Sequence, residues 1–382
     1  MPQTKKTAAK SRPVGGEEKR KLARRLSVRR ETEKPKKQLP HELHRSASNP
    51  IIQPNTNNKW ESKATFNPAA FLDDDKVHIV YRAIGDNDVS VMGYASSRDG
   101  VNIDERLTHP IYTWREKHGK NPERREASPP ILYGSGGGWN GGCEDPRLTA
   151  IDDTVYMLYT AFDGWGSLRI ALTSIKLDNL RNKRWNWAKP VLISPPGETH
   201  KNWVIFPEKI KGKYAILHSI SPKILVDYFD SLDNFDSDEY IKSHFGGKSQ
   251  KNRWDSVLRG AGPPPIKTKY GWLLLYHAID HRDPGRYKLG AMILNAKDPT
   301  KIVARSKKPI LEPDECYENE GFKAGIIYSC GAVVIDDQLL VYYGGADTVS
   351  CVAVAKLDEF LEKLIADKEP KLSLKTSKKP KP

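Results

Sequence analysis

A strand-rich unit that recurs five times constrains the fold of this chain more than any other feature of its sequence. Each copy has a short strand, an acidic or glycine turn, an aromatic-aliphatic strand and a closing strand of small residues. The copies align on one position of the aromatic-aliphatic strand, occupied by Tyr81, Tyr159, His218, Tyr276 and Tyr342. The spacings of 78, 59, 58 and 66 residues exceed the roughly 40–50 residues of a bare propeller blade and leave room for long loops.

Five such units with almost no helix predict an all-β chain folded as a five-bladed β-propeller. An open β-sandwich is the competing fold, but it does not account for the repetition. Near the C terminus, residues 356–367 place Leu357, Phe360, Leu361 and Leu364 at helical spacing, which predicts one short closing helix. We therefore expect a propeller domain over residues 51–367.

The positive charge of the chain is concentrated at its ends. Of a net charge of +14, residues 1–50 contribute 15 Lys/Arg against 5 Asp/Glu, and residues 368–382 are again rich in Lys and Pro. Both segments have too few apolar side chains to offset the entropy of ordering, so we predict two disordered basic tails. A solvated N-terminal tail is favoured, with weak contact to an anionic surface or RNA as the alternative. The nearly neutral middle argues against a nucleic-acid enzyme.

The cysteines and the hydropathy indicate the compartment. Four cysteines, Cys143, Cys316, Cys330 and Cys351, show no zinc-ligand spacing, and we expect free thiols in a reducing cytoplasm. No run approaches the roughly 20 apolar residues of a membrane helix. The basic N terminus has no apolar segment behind it, so it does not read as a secretory signal.

The stretch Gly141-Gly142-Cys143-Glu144-Asp145-Pro146-Arg147 is the strongest local candidate for chemistry. Two glycines allow a backbone turn that other residues resist, and two carboxylates follow immediately. Pro146 favours an extended conformation at Asp145, which would hold that side chain in place. The stretch predicts either a catalytic carboxylate at the mouth of a strand or a structural ion pair between Asp145 and Arg147.

Other polar residues stand at equivalent edges of the repeated units, and in a propeller such edges converge at one mouth. They are Asn67, Arg82, Asp145, Arg147, Arg169, Lys201, Lys209, His277 and Asp347. This set is rich in cations around a few carboxylates, which indicates an anionic small molecule bound near a sugar. Five tryptophans in connecting segments could stack on sugars or belong to the core: Trp60, Trp139, Trp165, Trp203 and Trp254.

From about Lys59 to Leu361 the chain resembles glycoside hydrolase family 130, the inverting mannoside phosphorylases and mannosidases on a five-bladed propeller. The resemblance rests on motifs spread over all five units. They are Gly142-Cys143-Glu144-Asp145-Pro146-Arg147, Arg169-Ile170-Ala171-Leu172-Thr173-Ser174, Phe206-Pro207-Glu208-Lys209-Ile210, Tyr276-His277 and Gly344-Gly345-Ala346-Asp347.

The resemblance implies that Asp145 is the single catalytic acid, which protonates the leaving oxygen through the 3-hydroxyl of the mannosyl unit. The substrate-binding residues that it implies are Asn67, Arg82, Arg147, Tyr287 and Asp347. The phosphate-binding residues that it implies are Arg169, Lys201, Lys209 and His277. Two features depart from the family and bear on acceptor and linkage: serine in Leu217-His218-Ser219-Ile220-Ser221, where many relatives carry arginine, and a long insertion from Asp227 to Gly260.

One acid surrounded by cations favours phosphate over water as the nucleophile. Inverting hydrolysis needs a second carboxylate to activate water. Phosphate needs no base but requires cations to offset its charge. We therefore predict phosphorolysis of a β-mannoside to α-mannose 1-phosphate, with phosphate as co-substrate and no metal or other cofactor. A β-mannosidase and a non-catalytic carbohydrate-binding propeller are the alternatives, and homo-oligomerisation is left open.

Overall fold

Strands are the main regular structure in the residues that the computed structural model describes: 43–113, 140–164, 167–233, 235, 239–244 and 253–367. All of them lie in one compact unit. Within these ranges the chain forms 20 strands and three short helices, α1 (Leu177–Arg181), α2 (Cys316–Asn319) and α3 (Leu357–Ala366). The prediction of an all-β chain with little helix is confirmed.

The first two groups of strands are antiparallel and follow the chain order. The first group is β2 (Ala64–Asp73), β3 (Lys76–Ile84), β4 (Ser90–Ser97) and β5 (Glu105–Arg106). The second is β6 (Gly142–Ile151), β7 (Thr154–Phe162), β8 (Leu168–Lys176) and β9 (Val191–Leu192). A single parallel pairing of Ser90 with Gly142 joins β4 to β6, so the two groups are hydrogen-bonded into one sheet.

Three further groups complete the folded part. The third is β10 (Val204–Ile205), β11 (Tyr214–Ser219) and β12 (Leu225–Phe229). The fourth is β13 (Val257–Ala261), β14 (Ile266–Thr268), β15 (Gly271–Asp280), β16 (Asp283–Leu294) and β17 (Ile302–Arg305). The fifth is β18 (Ile327–Ile335), β19 (Gln338–Gly345) and β20 (Val349–Lys356), to which β1 (His44–Arg45) adds an antiparallel edge strand.

The five aligned positions of the sequence repeat lie in β3, β7, β11, β15 and β19, and all are buried. Each buried tyrosine hydroxyl has a partner, as a buried polar atom requires. Tyr81 donates to Glu61 (2.8 Å), Tyr276 donates to Asp255 (2.8 Å) and Tyr342 donates to the Gly100 carbonyl (2.6 Å). The repeat therefore reflects one strand position that is filled by a large ring between neighbouring groups.

The folded part begins earlier than the predicted boundary at residue 51. Leu43 is buried, and Arg45 pairs with the fully buried Glu318 (Nε to Oε1 2.7 Å). These contacts tie β1 to the fifth group, because Glu318 also accepts a hydrogen bond from Tyr343 (2.8 Å). The predicted tails at residues 1–42 and 368–382 lie outside the described residues.

The predicted C-terminal helix and the predicted free thiols are both found. In α3, Phe360, Leu361 and Leu364 are buried against the fourth and fifth groups, as an amphipathic helix requires. All four cysteines are free, and Cys316 is the exposed one. None of the helices in the described ranges is long and apolar enough to cross a membrane.

Candidate active site

The first strand of four groups is interrupted by a β-bulge, and the candidate site is built on these bulges. The pairing register shifts between Phe66 and Ala69 in β2 and between Glu144 and Arg147 in β6. Equivalent shifts occur in β13 and β18. Bulges re-aim side chains and are common next to active sites. In the first two groups the re-aimed residues are Asn67 and Asp145, each followed by proline.

The backbone at Asp145 differs from the prediction. Its φ is +52°, and that of Asn67 is +50°, so both are left-handed rather than extended. Asn and Asp tolerate this region better than other residues with a Cβ. The bulge therefore overrides the extended preference before proline. Position 142 requires glycine, as predicted, because its φ is +107° and a Cβ there would lie 2.2 Å from the Ser90 carbonyl oxygen.

A cavity of about 320 Å³, counting space open to solvent, lies over Asp145. Its lining residues come from the first, second, third, fourth and fifth groups and their loops. They are Asn67, Arg82, Asp145, Lys201, Tyr287, Lys323, Ile326, Tyr328 and Asp347. Six of these residues, Asn67, Arg82, Asp145, Lys201, Tyr287 and Asp347, are among those that the sequence analysis named for the site, and the structure brings them together around this cavity. Their roles in substrate binding are taken up below.

Asp145 is held by three side chains. Asn67 Nδ2 donates to Asp145 Oδ1 (2.8 Å), and Arg82 Nη1 donates to the same oxygen (3.2 Å). Lys201 Nζ lies 3.5 Å from Asp145 Oδ2. All four residues are buried. The carboxyl group is therefore fixed in position before any ligand arrives.

The neighbouring carboxylate shares the same two cations. Glu144 Oε1 accepts from Arg82 Nη2 (2.8 Å), and Glu144 Oε2 lies 3.5 Å from Lys201 Nζ. Two carboxylates thus face two cations, and the buried cluster is close to neutral. Such compensation is what allows charges to remain buried.

The environment of Asp145 favours its ionised form. Burial alone would raise its pKa, but the charges of Lys201 and Arg82 and the hydrogen bond from Asn67 hold the pKa well below its usual value. Asp347, also buried at the cavity, behaves in the opposite way. There burial raises the pKa, and the charges of Lys323 and Arg82 only partly oppose it. The cavity therefore presents two carboxyl groups of different acidity.

A second cavity, of about 250 Å³ on the same measure, shares Lys201 with the first. Its lining residues are Lys201, Asn202, His218, Ser219, Ile220, Ser221, His244, Leu258, Arg259, Gly260 and Ala261. Arg259 Nε donates to the hydroxyl of Tyr287 (2.9 Å), and Tyr287 lines the first cavity. Lys201 and the pair formed by Arg259 and Tyr287 therefore connect the two cavities.

Arg147 lies beneath the cavity and does not line it. Its guanidinium is buried and donates to the carbonyl oxygens of Gly262 (2.9 Å) and Asp145 (2.8 Å) and to Asn202 Oδ1 (2.9 Å). These bonds join the second group to the fourth. The ion pair considered between Arg147 and the carboxylate of Asp145 is replaced by a bond to the Asp145 main chain.

Two cations predicted to bind phosphate line neither cavity. Lys209 is exposed and lies over the ring of Tyr214 (4.6 Å from Nζ to the ring centre), at the hairpin between β10 and β11. Arg169 is half-buried, donates to the Ser194 carbonyl oxygen and lies over the ring of Tyr240. Both positive charges are thus engaged away from Asp145.

His277 is buried next to the cavity lining as a neutral ring. Its Nε2 accepts from the Ser329 amide (2.9 Å), and its ring stacks on Tyr328 with centres 4.1 Å apart. Burial and the charge of Arg147 lower its pKa to about 3. Its Nδ1 has no hydrogen-bond partner among the described residues. His277 therefore offers a donor rather than a positive charge.

Sequence reasoning missed Arg259, Tyr328 and Lys323. Arg259 lies inside the stretch that was read as an insertion, although its strand β13 pairs with β15 at the site. Lys323 precedes β18, and Tyr328 is the second residue of that strand. A sequence signal for Lys323 and Tyr328 is their place in the lead-in to the fifth unit, because the lead-ins of other units supply predicted site residues.

None of the described His, Cys, Asp and Glu side chains form a group of three or more arranged to hold a metal ion.

The comparisons with known proteins define the class. A family model described as beta-1,4-mannooligosaccharide phosphorylase matches residues 29–365. The chain therefore belongs to glycoside hydrolase family 130, as its motifs predicted.

Individual relatives agree with this assignment. The chain is 39% identical over 326 residues to the 1,2-beta-oligomannan phosphorylase of Thermoanaerobacter sp. (strain X514), covering 83% of this chain and 98% of the relative. It is 36% identical over 330 residues to the beta-1,2-mannobiose phosphorylase of the same organism, with the same coverage. A glycosyl hydrolase structure from Bacteroides ovatus shares 25% identity at a TM-score of 0.65, covering 83% of this chain and 94% of that chain.

Proposed function

We propose that this protein is an inverting β-mannoside phosphorylase. It transfers the mannosyl unit of a β-manno-oligosaccharide to inorganic phosphate and releases α-mannose 1-phosphate and a shortened acceptor. The observation that carries the proposal is the position of Lys201 and Arg259, which flank the junction of two cavities beside Asp145, a carboxylate whose pKa is held low. Family membership and the names of the relatives support the same activity.

The phosphate is assigned to the junction of the two cavities. A multiply charged anion cannot be confined there without cationic partners. Lys201 supplies a point charge, while the guanidinium of Arg259 can bind two phosphate oxygens at once. Tyr287 fixes the guanidinium through its hydroxyl (2.9 Å). Lys201 thus replaces Lys209 as the principal phosphate lysine in this proposal.

The mannosyl unit is assigned to the cavity over Asp145. Asn67, Arg82 and Asp347 come from the first and fifth groups and present an amide, a guanidinium and a carboxyl group to this space. Hydroxyl-rich ligands are oriented by such fixed polar groups. Arg147 then acts only by holding the backbone of Asp145.

The reaction can proceed although Asp145 is ionised in the free protein. When HPO₄²⁻ attacks the anomeric carbon, the C–O bond to the acceptor breaks, and the product is the mannose 1-phosphate dianion. The proton that phosphate carried ends on the acceptor oxygen, so the reaction is balanced without a proton from solvent. Bound phosphate also offsets the charge of Lys201, which raises the pKa of Asp145. Asp145 can therefore relay this proton, and the 3-hydroxyl of the mannosyl unit passes it to the leaving oxygen.

The linkage is proposed to be β-1,2. The two relatives that are 39% and 36% identical carry β-1,2 in their names, whereas a beta-1,4-mannooligosaccharide phosphorylase of Ruminococcus albus is 31% identical. Ser219 and Ser221 line the second cavity, on the side assigned to phosphate, so the proposed linkage does not rest on them.

The five groups of strands are proposed to be the blades of a five-bladed β-propeller. Contacts between the first and fifth groups support closure: the Thr65 amide donates to the Thr348 carbonyl (2.9 Å), and Ser350 Oγ donates to the Thr65 carbonyl (2.9 Å). The pairing of β1 with β20 would close the last blade with a strand from the start of the chain. Cytoplasmic location, fitting the free thiols, and homo-oligomerisation remain predictions.

The test is mannose 1-phosphate release from β-1,2- and β-1,4-linked manno-oligosaccharides, with and without phosphate. Release that depends on phosphate is expected, with the β-1,2 substrates preferred. Release of free mannose at the same rate without phosphate would instead identify a β-mannosidase. No turnover of any manno-oligosaccharide would favour a carbohydrate-binding protein.

A further inference from the structure

The turn that carries Asp347 is bound to the segment that precedes β18. This turn joins β19 to β20, and its central residues, Ala346 and Asp347, are both left-handed, with φ of +49° and +50°. The Ala346 carbonyl accepts from the Lys323 amide (3.0 Å), and the Ala346 amide donates to the Ile326 carbonyl (3.0 Å). A left-handed alanine persists only where its surroundings enforce it. The turn and residues 323–326 therefore form one fixed unit.

This unit presents two oppositely charged side chains to the cavity over Asp145. Lys323 and Asp347 both line that cavity. The carboxyl group of Asp347 is buried, and in the part of the chain that the structure describes it has no hydrogen bond or ion pair. Lys323 is exposed, and its ammonium group has no such partner among the described residues either. A buried carboxylate without direct partners depends on nearby charge or on a bound ligand.

The two other cations of the cavity are already engaged. Arg82 and Lys201 each lie within 3.5 Å of both Glu144 and Asp145. These two cations and two carboxylates compensate one another. Asp347 is thus a third carboxyl group that needs a third cation if it is to be ionised.

The electrostatics of the cavity identify Lys323 as that cation. Burial raises the pKa of Asp347, and the charge of Lys323 opposes the rise more strongly than that of Arg82 or Lys201. The titratable and charged groups that line the cavity with Asp347 come from five elements: Arg82 in β3, Asp145 in β6, Lys201 before β10, Tyr287 in β16, and Lys323 and Tyr328 in and before β18. Burial raises the pKa of both tyrosines, so they stay neutral.

We propose that Lys323 is a positioning residue that keeps Asp347 ionised, so that Asp347 can accept hydrogen bonds from the hydroxyls of the mannosyl unit. The proposal rests on the proposed function, which assigns the mannosyl unit to this cavity. An ionised carboxyl group is an acceptor at both oxygens, and its hydrogen bonds are roughly twice as strong as those of a neutral group. Protonation of Asp347 would therefore weaken binding of the mannoside.

The test measures how binding of a β-1,2-linked manno-oligosaccharide depends on pH. Calorimetry without phosphate compares the wild type with Lys323→Met, the charge-conserving Lys323→Arg and the control Lys308→Met, an exposed lysine that lines neither cavity. At about pH 8 the dissociation constants of wild type and Lys323→Met should agree within about twofold. At about pH 5.5 Lys323→Met should bind about 3- to 10-fold more weakly, because loss of a nearby opposite charge raises a carboxyl pKa by about one unit or more. Lys323→Arg and Lys308→Met should follow the wild-type profile.

A second variant separates action through Asp347 from direct contact with the sugar. Asp347→Asn removes the titrating group, so adding Lys323→Met to it should change the dissociation constant less than about twofold at either pH. An effect of Lys323→Met that persists in Asp347→Asn would overturn the proposal. Equal weakening at both pH values, or no weakening at either, would overturn it too.

Failure of this proposal is distinguishable from failure of the proposed function. If the wild type binds the manno-oligosaccharide but makes no mannose 1-phosphate when phosphate is added, the phosphorylase function fails, and the binding profiles still decide the role of Lys323. If the wild type does not bind the manno-oligosaccharide at any pH, the assignment of the mannosyl unit to this cavity fails, and the role of Lys323 fails with it.

Discussion

Replacing Lys201 tests the proposed phosphate site most directly. Lys201 is buried, and it is the one lysine that lines both cavities among the described residues. Lys201→Met keeps much of the side-chain volume and removes the charge. A hydrogen bond to a charged group contributes about 1.5–3 kcal/mol, so the phosphate KM should rise on the order of 10- to 100-fold. The KM for the manno-oligosaccharide should change far less, because Asn67 and Arg82 remain.

The same change also acts on Asp145, and the structure bounds that effect. Lys201 Nζ is 3.5 Å from both Glu144 and Asp145, whereas Arg82 approaches them at 2.8 and 3.2 Å. Arg82 therefore keeps most of the compensation, and we expect the variant to fold. Loss of Lys201 should raise the pKa of Asp145, since its charge is the largest of those that lower it. The melting temperature of the variant reports any loss of stability separately from kinetics.

Lys209→Ala is the matched control. Lys209 stands eight residues later, exposed on Tyr214, and it should leave the phosphate KM unchanged. Initial rates against phosphate at saturating manno-oligosaccharide are measured for both variants and the wild type. A phosphate KM that rises in Lys209→Ala and not in Lys201→Met would refute the placement of phosphate. Equal phosphate KM values in all three proteins would refute a role for either lysine.

Three further predictions concern the acid Asp145, the buried ion pair of Arg45, and two buried histidines. Asp145→Asn should lose about 10²- to 10⁴-fold in kcat, the usual contribution of a general acid, and more than a tenth of wild-type kcat would exclude that role. The same change should lower the melting temperature, because Arg82 and Lys201 lose one of the two carboxylates that compensate them. Arg45→Ala should lower the free energy of unfolding by about 2–4 kcal/mol in urea titrations, because Glu318 is fully buried, whereas Arg98→Ala, at an exposed pair with Asp104, should have no measurable effect. Burial lowers the pKa of His78 and of His218 to about 4, so the unfolded chain binds protons that the folded chain does not between pH 6.5 and 4. Stability should therefore fall as the pH is lowered through that window, by up to about 1.4 kcal/mol per pH unit for each histidine, and His78→Gln should have a visibly smaller slope.

The sequence predicts the repeated strands well because burial of one large ring per group leaves a clear pattern. Asn67 and Asp145 occupy comparable places in the first strands of their groups, whereas Asp347 lies in the turn between β19 and β20. The sequence analysis misplaces Lys209, although Lys209 is only eight residues from Lys201. The chain leaves the site at Lys201, runs through β10, and reaches Lys209 at the hairpin between β10 and β11. A strand advances about 3.3 Å per residue, so a few residues are enough to move a side chain away from the site.

Other features of the site depend on contacts that no local pattern reports. The role of Arg259 depends on the pairing of β13 with β15 across a bulge, which brings it to Tyr287. The left-handed backbone of Asp145 contradicts the local preference before proline, and it is maintained by the register shift between β6 and β7. Local rules fail at such positions because the surrounding strands, rather than the residue, determine the conformation.

The bulges also explain how a repeated scaffold supports different chemistry in each group. In β2 and β6 the same local arrangement, a left-handed residue followed by proline, aims Asn67 and Asp145 at one point, where they form a 2.8 Å hydrogen bond. The amide can donate to the carboxylate, whereas a second aspartate at position 67 would repel it. In β13 and β18 the register shifts leave Arg259 and Cys330 unpaired, and each is followed by a glycine, Gly260 or Gly331, where a Cβ would lie 2.6 Å from Asn202 or 2.3 Å from Ala70. The bulged position thus carries an amide in the first group, an acid in the second and a guanidinium in the fourth, so the same backbone device supplies a different functional group in each.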